Sequence, residues 1–515
     1  MKLLNNDLVD SFHMTALKDR CWFCALCLSA VVITAGRYWY GTKLGLAPDE
    51  AYYWRWAQNL SLSYLDHPPL IAVLIHLGES FQGNTVMGIR LPMIIISFFA
   101  IGITYKTGRL LGLDRPYAYF AAALATLLPA PATGALLATP DTPLGLCWMI
   151  SLMALVGLQR SPAPGYWYLL GVSLGFGVLA KHSGMLILFT IAFTLMAKGR
   201  IREDLRSLHP WAGIALGFAL MLPYLAGELA NGLPSFRFQF FHLTGRLSPG
   251  TDIGGPLVVL ERLGGLLGGQ LGLITPPVAL LLWKSVRTSE MDTYFRGAVL
   301  SNDSKMASKW PLIVGFFIPL LATCLSSFTV HPEQNWASLG HPAAALLAVS
   351  AIYDMRENRQ ERRGKRQSVW LGATLGTAVI VATVIHLHAV YPFLPLPAQR
   401  DPVSRLHGWQ HLDELKNGAK EVDAIVCDNY GLAAQVSWQF RDIGLNIPIV
   451  SVDRDKLPAK GLWLLLDQKG EFGNTELGLK CDEIKETTKV LLKRRGGTVW
   501  SVIEVTRGTG CAEES

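Results

Sequence analysis

Asp49 and Glu50 stand side by side in Ala47-Pro48-Asp49-Glu50-Ala51-Tyr52-Tyr53-Trp54, and Asp66-His67-Pro68-Pro69-Leu70 follows shortly after. Adjacent carboxylates, an aromatic run and an Asp-His pair can accept a proton from a hydroxyl and hold a polar substrate, while Pro-Pro stiffens the backbone beside them. Carboxylates next to lipid cost solvation unless something pairs with them or uses them. The aromatics have a plainer reading as anchors in the headgroup layer.

Further candidates lie in later short turns. Asp141, in Thr139-Pro140-Asp141-Thr142-Pro143, reads either as a second acid of the pocket or as the cap of the next helix. Lys181, in Lys181-His182-Ser183-Gly184, is a cation in a very short turn and calls for an anionic partner. Arg237 and Arg246 carry the guanidinium fork that matches phosphate oxygens, with Phe236, Phe238, Phe240 and Phe241 beside them to meet lipid. Tyr53, Asp66, His67, His242 and His331 complete the polar set. Asp66, His67 and His242 are metal-ligand types without a metal-binding spacing, so a divalent ion is possible but not required.

The elements that carry these residues are membrane spans. Of 515 residues, 50% are hydrophobic and 17% charged, too apolar for a soluble enzyme of this length. Apolar segments long enough to cross about 30 Å of hydrocarbon recur at 21–40, 86–105, 117–137, 142–158, 166–180, 183–197, 210–229, 256–283, 311–328, 338–353 and 369–390. The expectation is about eleven spans, the first a retained anchor because no small-residue cleavage site follows it. Lys and Arg number twenty-two in one alternate set of loops and five in the other: Lys43, Arg55, Lys181, Arg237 and Arg246. That is a positive-inside pattern, so the formal charge of +7 is no sign of nucleic acid. The N-terminus is read as cytoplasmic, the 41–85 loop as external, and the C-terminus as external.

Residues 1–390 therefore form a polytopic α-helical domain with 41–85 as an external active-site loop, and 391–515 a small external α/β domain. Prolines at 392, 395, 397 and 402 mark the join. In the tail, Ala424-Ile-Val-Cys427 reads as a buried strand, 431–440 as a helix, and 447–452 and 462–466 as further strands. Cys427, Cys481 and Cys511 fall where oxidation is possible, and the spacing selects no pair. Cys21, Cys24 and Cys27 lie at the start of a span and lack the fourth ligand of an iron-sulfur site.

Carboxylates and cations on one membrane face suit a reaction in which a lipid phosphate leaves and a hydroxyl attacks. Asp49 would act as general base, with Lys181 and an arginine on the departing phosphate. Pro48 to Trp54, Asp66 to Leu70, Thr139-Pro140-Asp141, Ala180 to Gly184 and Asn335-Trp336-Ala337 resemble, in order, the motifs of the GT-C membrane glycosyltransferases. More narrowly, they resemble the bacterial branch related to protein O-mannosyltransferases and to the lipid A aminoarabinose transferase. Asp401-Pro402, Gly408-Trp409 and Asp428 to Ala433 resemble that branch's external domain. The resemblance implies inverting transfer of a sugar from a polyprenyl (undecaprenyl) phosphate to lipid A, lipopolysaccharide core or another envelope glycan at the bacterial inner membrane. It implies Asp49 as base, Asp141 as second acid and Lys181 near the lipid phosphate. Asp66-His67 replaces the Glu-Lys of the aminoarabinose transferase, so sugar identity does not carry over. A protein acceptor ranks second, and a transporter or flippase third, since transporters tend to place ionisable groups near the bilayer midplane.

Overall fold

The computed structural model describes residues 3–161, 163–196, 205–244, 255–288, 307–357, 362–459, 461–469, 479–495 and 497–513. The chain opens with α1 (Leu3–Gly41), whose second half is the first apolar stretch, followed by two shorter helices in the external loop, α2 (Pro48–Gln58) and α3 (Leu70–Gln82). The bundle continues with α4 (Val86–Leu111), α5 (Arg115–Leu127), α6 (Pro129–Gly134), α7 (Asp141–Arg160), α8 (Pro164–Ala180) and α9 (Leu186–Met196). Then come α10 (Leu208–Ala230), α11 (Pro234–Leu243), α12 (Pro256–Ile274), α13 (Pro276–Arg287), α14 (Trp310–Ser326), α15 (Gln334–Ala337), α16 (His341–Glu357) and α17 (Arg362–Val390).

Among the described residues six helical stretches are long and apolar enough to cross a membrane, and four shorter apolar helices accompany them. Among the described residues each expected span falls largely on helix, but two are broken. The 117–137 stretch divides where Leu128 turns extended before Pro129. The 256–283 stretch divides at Thr275, held at φ 67° before Pro276 and Pro277. In both cases proline removes the amide that would continue the helix and fits the first turn of the next one.

Small residues set the closest helix crossings. Gly171 and Gly175 of α8 face Gly213 and Gly217 of α10 so tightly that a side chain at Gly171 would run into the Gly213 backbone. Trp148 of α7 sits fully buried at the centre and donates its indole N–H to the carbonyl of Gly315 at 3.2 Å.

The turns segregate to the two ends of the bundle as the charge pattern predicts. At one end the 111–114, 159–161 and 307–310 turns meet: Ala307 N–H bonds Leu111 O at 2.9 Å, and Gln159 brackets Ser308. At the other, the 41–50, 138–141, 181–184 and 334–336 turns converge. Several basic stretches, with Lys198, Arg200, Arg202, Arg296, Lys305 and Arg359, lie outside the described residues.

A compact linker leads to the second domain. His388 Nε2 meets Asp401 Oδ2 at 2.9 Å, and Arg494 donates to the same oxygen at 2.7 Å. The domain is a mixed sheet with strand order β2-β1-β3-β6-β4 and β5 paired to β6. Its strands are β1 (Ala424–Cys427), β2 (Ile449–Ser451), β3 (Gly461–Lys469), β4 (Leu479–Lys480), β5 (Glu483–Lys493) and β6 (Val499–Glu513), with α18 (Tyr430–Phe440) crossing from β1 to its parallel neighbour β2. A disulfide joins Cys481 to Cys511, leaving Cys427 buried as a free thiol.

Candidate active site

The site grows from the first turn of α2. Pro48 takes the first helical position, where its missing N–H costs nothing, and Glu50 falls at the third, where its Oε2 accepts the Ala47 amide at 2.9 Å. Arg90, fully buried in α4, clamps the same carboxylate through Nε to Oε1 at 2.8 Å and Nη2 to Oε2 at 2.5 Å. Its remaining donors reach the carbonyls of Gly41, Leu44 and Gly45. Glu50 Oε1 also accepts the Ala138 amide at 3.0 Å. Each Glu50 oxygen thus has two donors, which leaves none for a reacting group. The sequence reading put Glu50 with the chemistry; the geometry makes it the strut that joins the α1–α2 turn, α4 and the Asp141 turn.

That strut aims Asp49 the other way. Tyr430, the first residue of α18, donates its hydroxyl to Asp49 Oδ1 at 3.0 Å, so the second domain reaches the site directly. Burial is the largest influence on Asp49 and raises its pKa, against the hydrogen bond from Tyr430 and the nearby charges of Arg405 and Lys181. A carboxylate so held is a stronger base than one in water. Tyr53 lies buried among the same acids, its phenol pushed well up by burial and by Asp49, with Tyr430, Asp66 and Asp141 adding to it.

Three turns close around Asp141. Lys181 Nζ donates to its Oδ1 at 2.8 Å and Asn335 Nδ2 to its Oδ2 at 2.9 Å. The helix-cap reading of Asp141 fails, since its side chain bonds no amide of α7. Gly184 makes the Lys181 turn possible: any side chain there would strike the Gly177 backbone of α8.

The rim is built by Asp66, Arg454, α11 and His67. Arg454, in the loop after β2, pairs with Asp66 at 3.2 Å and lies over the Phe238 ring at 4.3 Å and the Tyr430 ring at 5.0 Å. Gln239 donates to the Asp66 carbonyl at 2.7 Å. Burial lifts Asp66 to about 6 despite Arg454. His67 is driven well below the usual imidazole value by burial and then by Lys181, and is neutral. His242 stacks on Phe238 and meets Trp336 edge-on, with centroids 6.0 and 6.1 Å away. Arg237 and His331 are exposed and outside the Asp141–Lys181–Asn335 contacts. Arg246 lies outside the described residues. Among the described residues no three His, Cys, Asp or Glu side chains gather as a metal site would need, and Asp66 of the candidate trio is committed to Arg454.

The sequence reading missed Arg90, Arg454 and the role of Tyr430. Arg90 had a signal, a lone cation inside an otherwise apolar span; Arg454 had none beyond its position between Asp453 and Asp455.

These features define a multi-pass α-helical membrane fold with its polar site at one end of the bundle. Residues 66–226 match the family of dolichyl-phosphate-mannose-protein mannosyltransferases. The lipid A galacturonosyltransferase RgtD of Rhizobium johnstonii is 25% identical over 406 residues, 78% of each chain. ArnT from Cupriavidus metallidurans bound to undecaprenyl phosphate has a similar structure, with a TM-score of 0.55 at 14% identity over 94% of this chain and 98% of that one. The oligosaccharyltransferase of Archaeoglobus fulgidus gives a TM-score of 0.50 at 13% identity, over 82% of this chain and 64% of that one. The chain shares the GT-C fold with ArnT and is similar in sequence to the bacterial glycosyltransferases related to the protein O-mannosyltransferases.

Proposed function

We propose that the protein moves a monosaccharide from polyprenyl (undecaprenyl) phosphate to lipid A, lipopolysaccharide core or another envelope glycan, with inversion, on the periplasmic face of the inner membrane. In this reading the N-terminus is cytoplasmic and the C-terminus periplasmic. The acceptor hydroxyl oxygen bonds to the anomeric carbon as the bond from that carbon to the phosphate oxygen breaks. Asp49 takes the hydroxyl proton, and the phosphate leaves with the electron pair toward Lys181. Asp141, itself bonded by Asn335, holds Lys181 in position, and Arg237 and Arg246 are the further cations assigned to the phosphate. The step as written needs no activated nucleotide.

The observation that supports this most is the meeting of a carboxylate of raised pKa, Asp49, with the Lys181–Asp141 pair at the membrane end where the sequence predicts an external loop. The relative named for galacturonosyl transfer to lipid A makes a hexuronic acid the first sugar to test. A protein acceptor is the second reading, favoured by the mannosyltransferase family match. Mass spectrometry of lipid A, core and membrane lipids from wild-type, deletion and Asp49→Asn strains tests the proposal. It expects one sugar-sized mass to vanish in both altered strains. Unchanged lipids with a changed glycoprotein would move the acceptor to protein, and no change in either would contradict glycosyl transfer.

A further inference from the structure

A groove enters the bundle from Asp141 between α1, α4, α5 and α7, with about 780 Å³ of space counting its open side. Arg37, Ser97, Thr126, Gly145 and Met149 are among its walls. Small residues keep it open: a side chain added at Gly134 or Gly145, both on the groove, would touch nothing within 4 Å. Arg37 is 9% exposed, and donates through Nη1 to Ser97 Oγ at 2.8 Å and Nη2 to the Thr126 carbonyl at 3.5 Å. Both acceptors are neutral, and among the described residues no carboxylate pairs with Arg37.

A guanidinium in a membrane helix without an acid beside it keeps an uncompensated charge and a donor fork shaped for phosphate. Arg37 lies four residues before the external end of α1 at Gly41, roughly 6 Å deep at 1.5 Å per residue, which is headgroup depth. Lys181 sits against the other side of Asp141, so the site offers separate cations for two anions. We propose that the groove binds the acceptor as a phosphate-bearing acyl lipid, with its phosphate on Arg37 and a chain along the small-residue wall. The word acceptor rests on the glycosyl transfer proposed above; the lipid site does not.

Native mass spectrometry of the delipidated full-length protein, titrated with phosphatidic acid, phosphatidylcholine and undecaprenyl phosphate, tests this without turnover. Wild type should prefer phosphatidic acid over phosphatidylcholine. Arg37→Gln should weaken phosphatidic acid about tenfold, the scale of one lost charge-assisted contact, with undecaprenyl phosphate unaffected. Arg37→Lys should keep part of the preference, and Gly145→Leu, which fills the groove and leaves the charge, should weaken phosphatidic acid as well. Loss of undecaprenyl phosphate in place of phosphatidic acid would assign the groove to the donor and overturn the proposal. Equal phosphatidic acid binding in wild type, Arg37→Gln and Gly145→Leu would make Arg37 a packing residue and overturn it too. If glycosyl transfer itself proves wrong, these binding results stand unchanged.

Discussion

Asp49 and Glu50 are neighbours with different work, and the difference is made by partners distant in sequence. Glu50 is sealed by Arg90 and two amides, so removing Arg90 leaves a buried carboxylate with its charge uncompensated. Arg90→Met should cost about 3–5 kcal/mol, the range for breaking one side of a buried pair, read as a lowered melting temperature in detergent, whereas Asp49→Asn should melt like wild type. Asp49 must be ionised to act as base, and its pKa is raised, so kcat/KM should fall on the acid side at a higher pH than an ordinary aspartate gives. A pH profile with no acid limb above the usual carboxylate range would contradict that role. Lys181→Ala should weaken donor binding about tenfold or more by loss of a charge-assisted phosphate contact, measured by titration with undecaprenyl phosphate. The sequence marks the acidic pair and Lys181 because charges there resist any structural reason on their own. It cannot divide base from strut, because that needs the position of Arg90 across the α1–α2 turn.

At the scale of elements, the seam between α2 and α18 decides whether the site is assembled. Trp54 and Trp438 pack edge to face at 5.1 Å, the Tyr52 and Tyr430 rings lie tilted with centroids 4.7 Å apart, and Gln435 donates to the Leu46 carbonyl at 2.8 Å. Gly431 lies against Pro48, where a Cβ would come within 3.0 Å of the ring. Gly431→Val should push α18 away, free Asp49 from Tyr430 and cut turnover while the helical bundle stays folded; circular dichroism with an activity assay separates the two effects. The rim adds a pH dependence. Asp66 titrates near 6 in the folded protein against 3.8 for an unperturbed aspartate, so the folded state holds its proton more tightly. Its contribution to stability is full below about 4 and is lost as the pH rises through about 6. Asp66→Asn should therefore flatten stability against pH in that window, and an unaltered slope would show that Asp66 titrates normally. The seam is not legible from sequence: aromatics whose plainer reading is as interface anchors turn out to face another domain.

For the whole molecule, the described turns at 111–114, 159–161 and 307–310 meet at one end of the bundle and those at 41–50, 138–141, 181–184 and 334–336 at the other. Binary hydrophobicity finds β1, α18, β2 and β3, because buried apolar runs announce themselves. It does not find the β5–β6 pair. Glu483-Ile-Lys-Glu-Thr-Thr-Lys is largely exposed along β5, so little of it reads as core until it is paired with β6. The Cys481–Cys511 bond could not be chosen from spacing, since it depends on the strands that carry the two residues. What the two domains enclose is one polar site, at which Asp49 is proposed to remove the acceptor proton. The most direct measurement compares purified wild type with Asp49→Asn for binding of the polyprenyl-phosphate sugar and for single-turnover transfer. Equal donor binding with transfer reduced at least about a hundredfold is the predicted result, the lower end of what a general base contributes. Transfer by Asp49→Asn at the wild-type rate would contradict it.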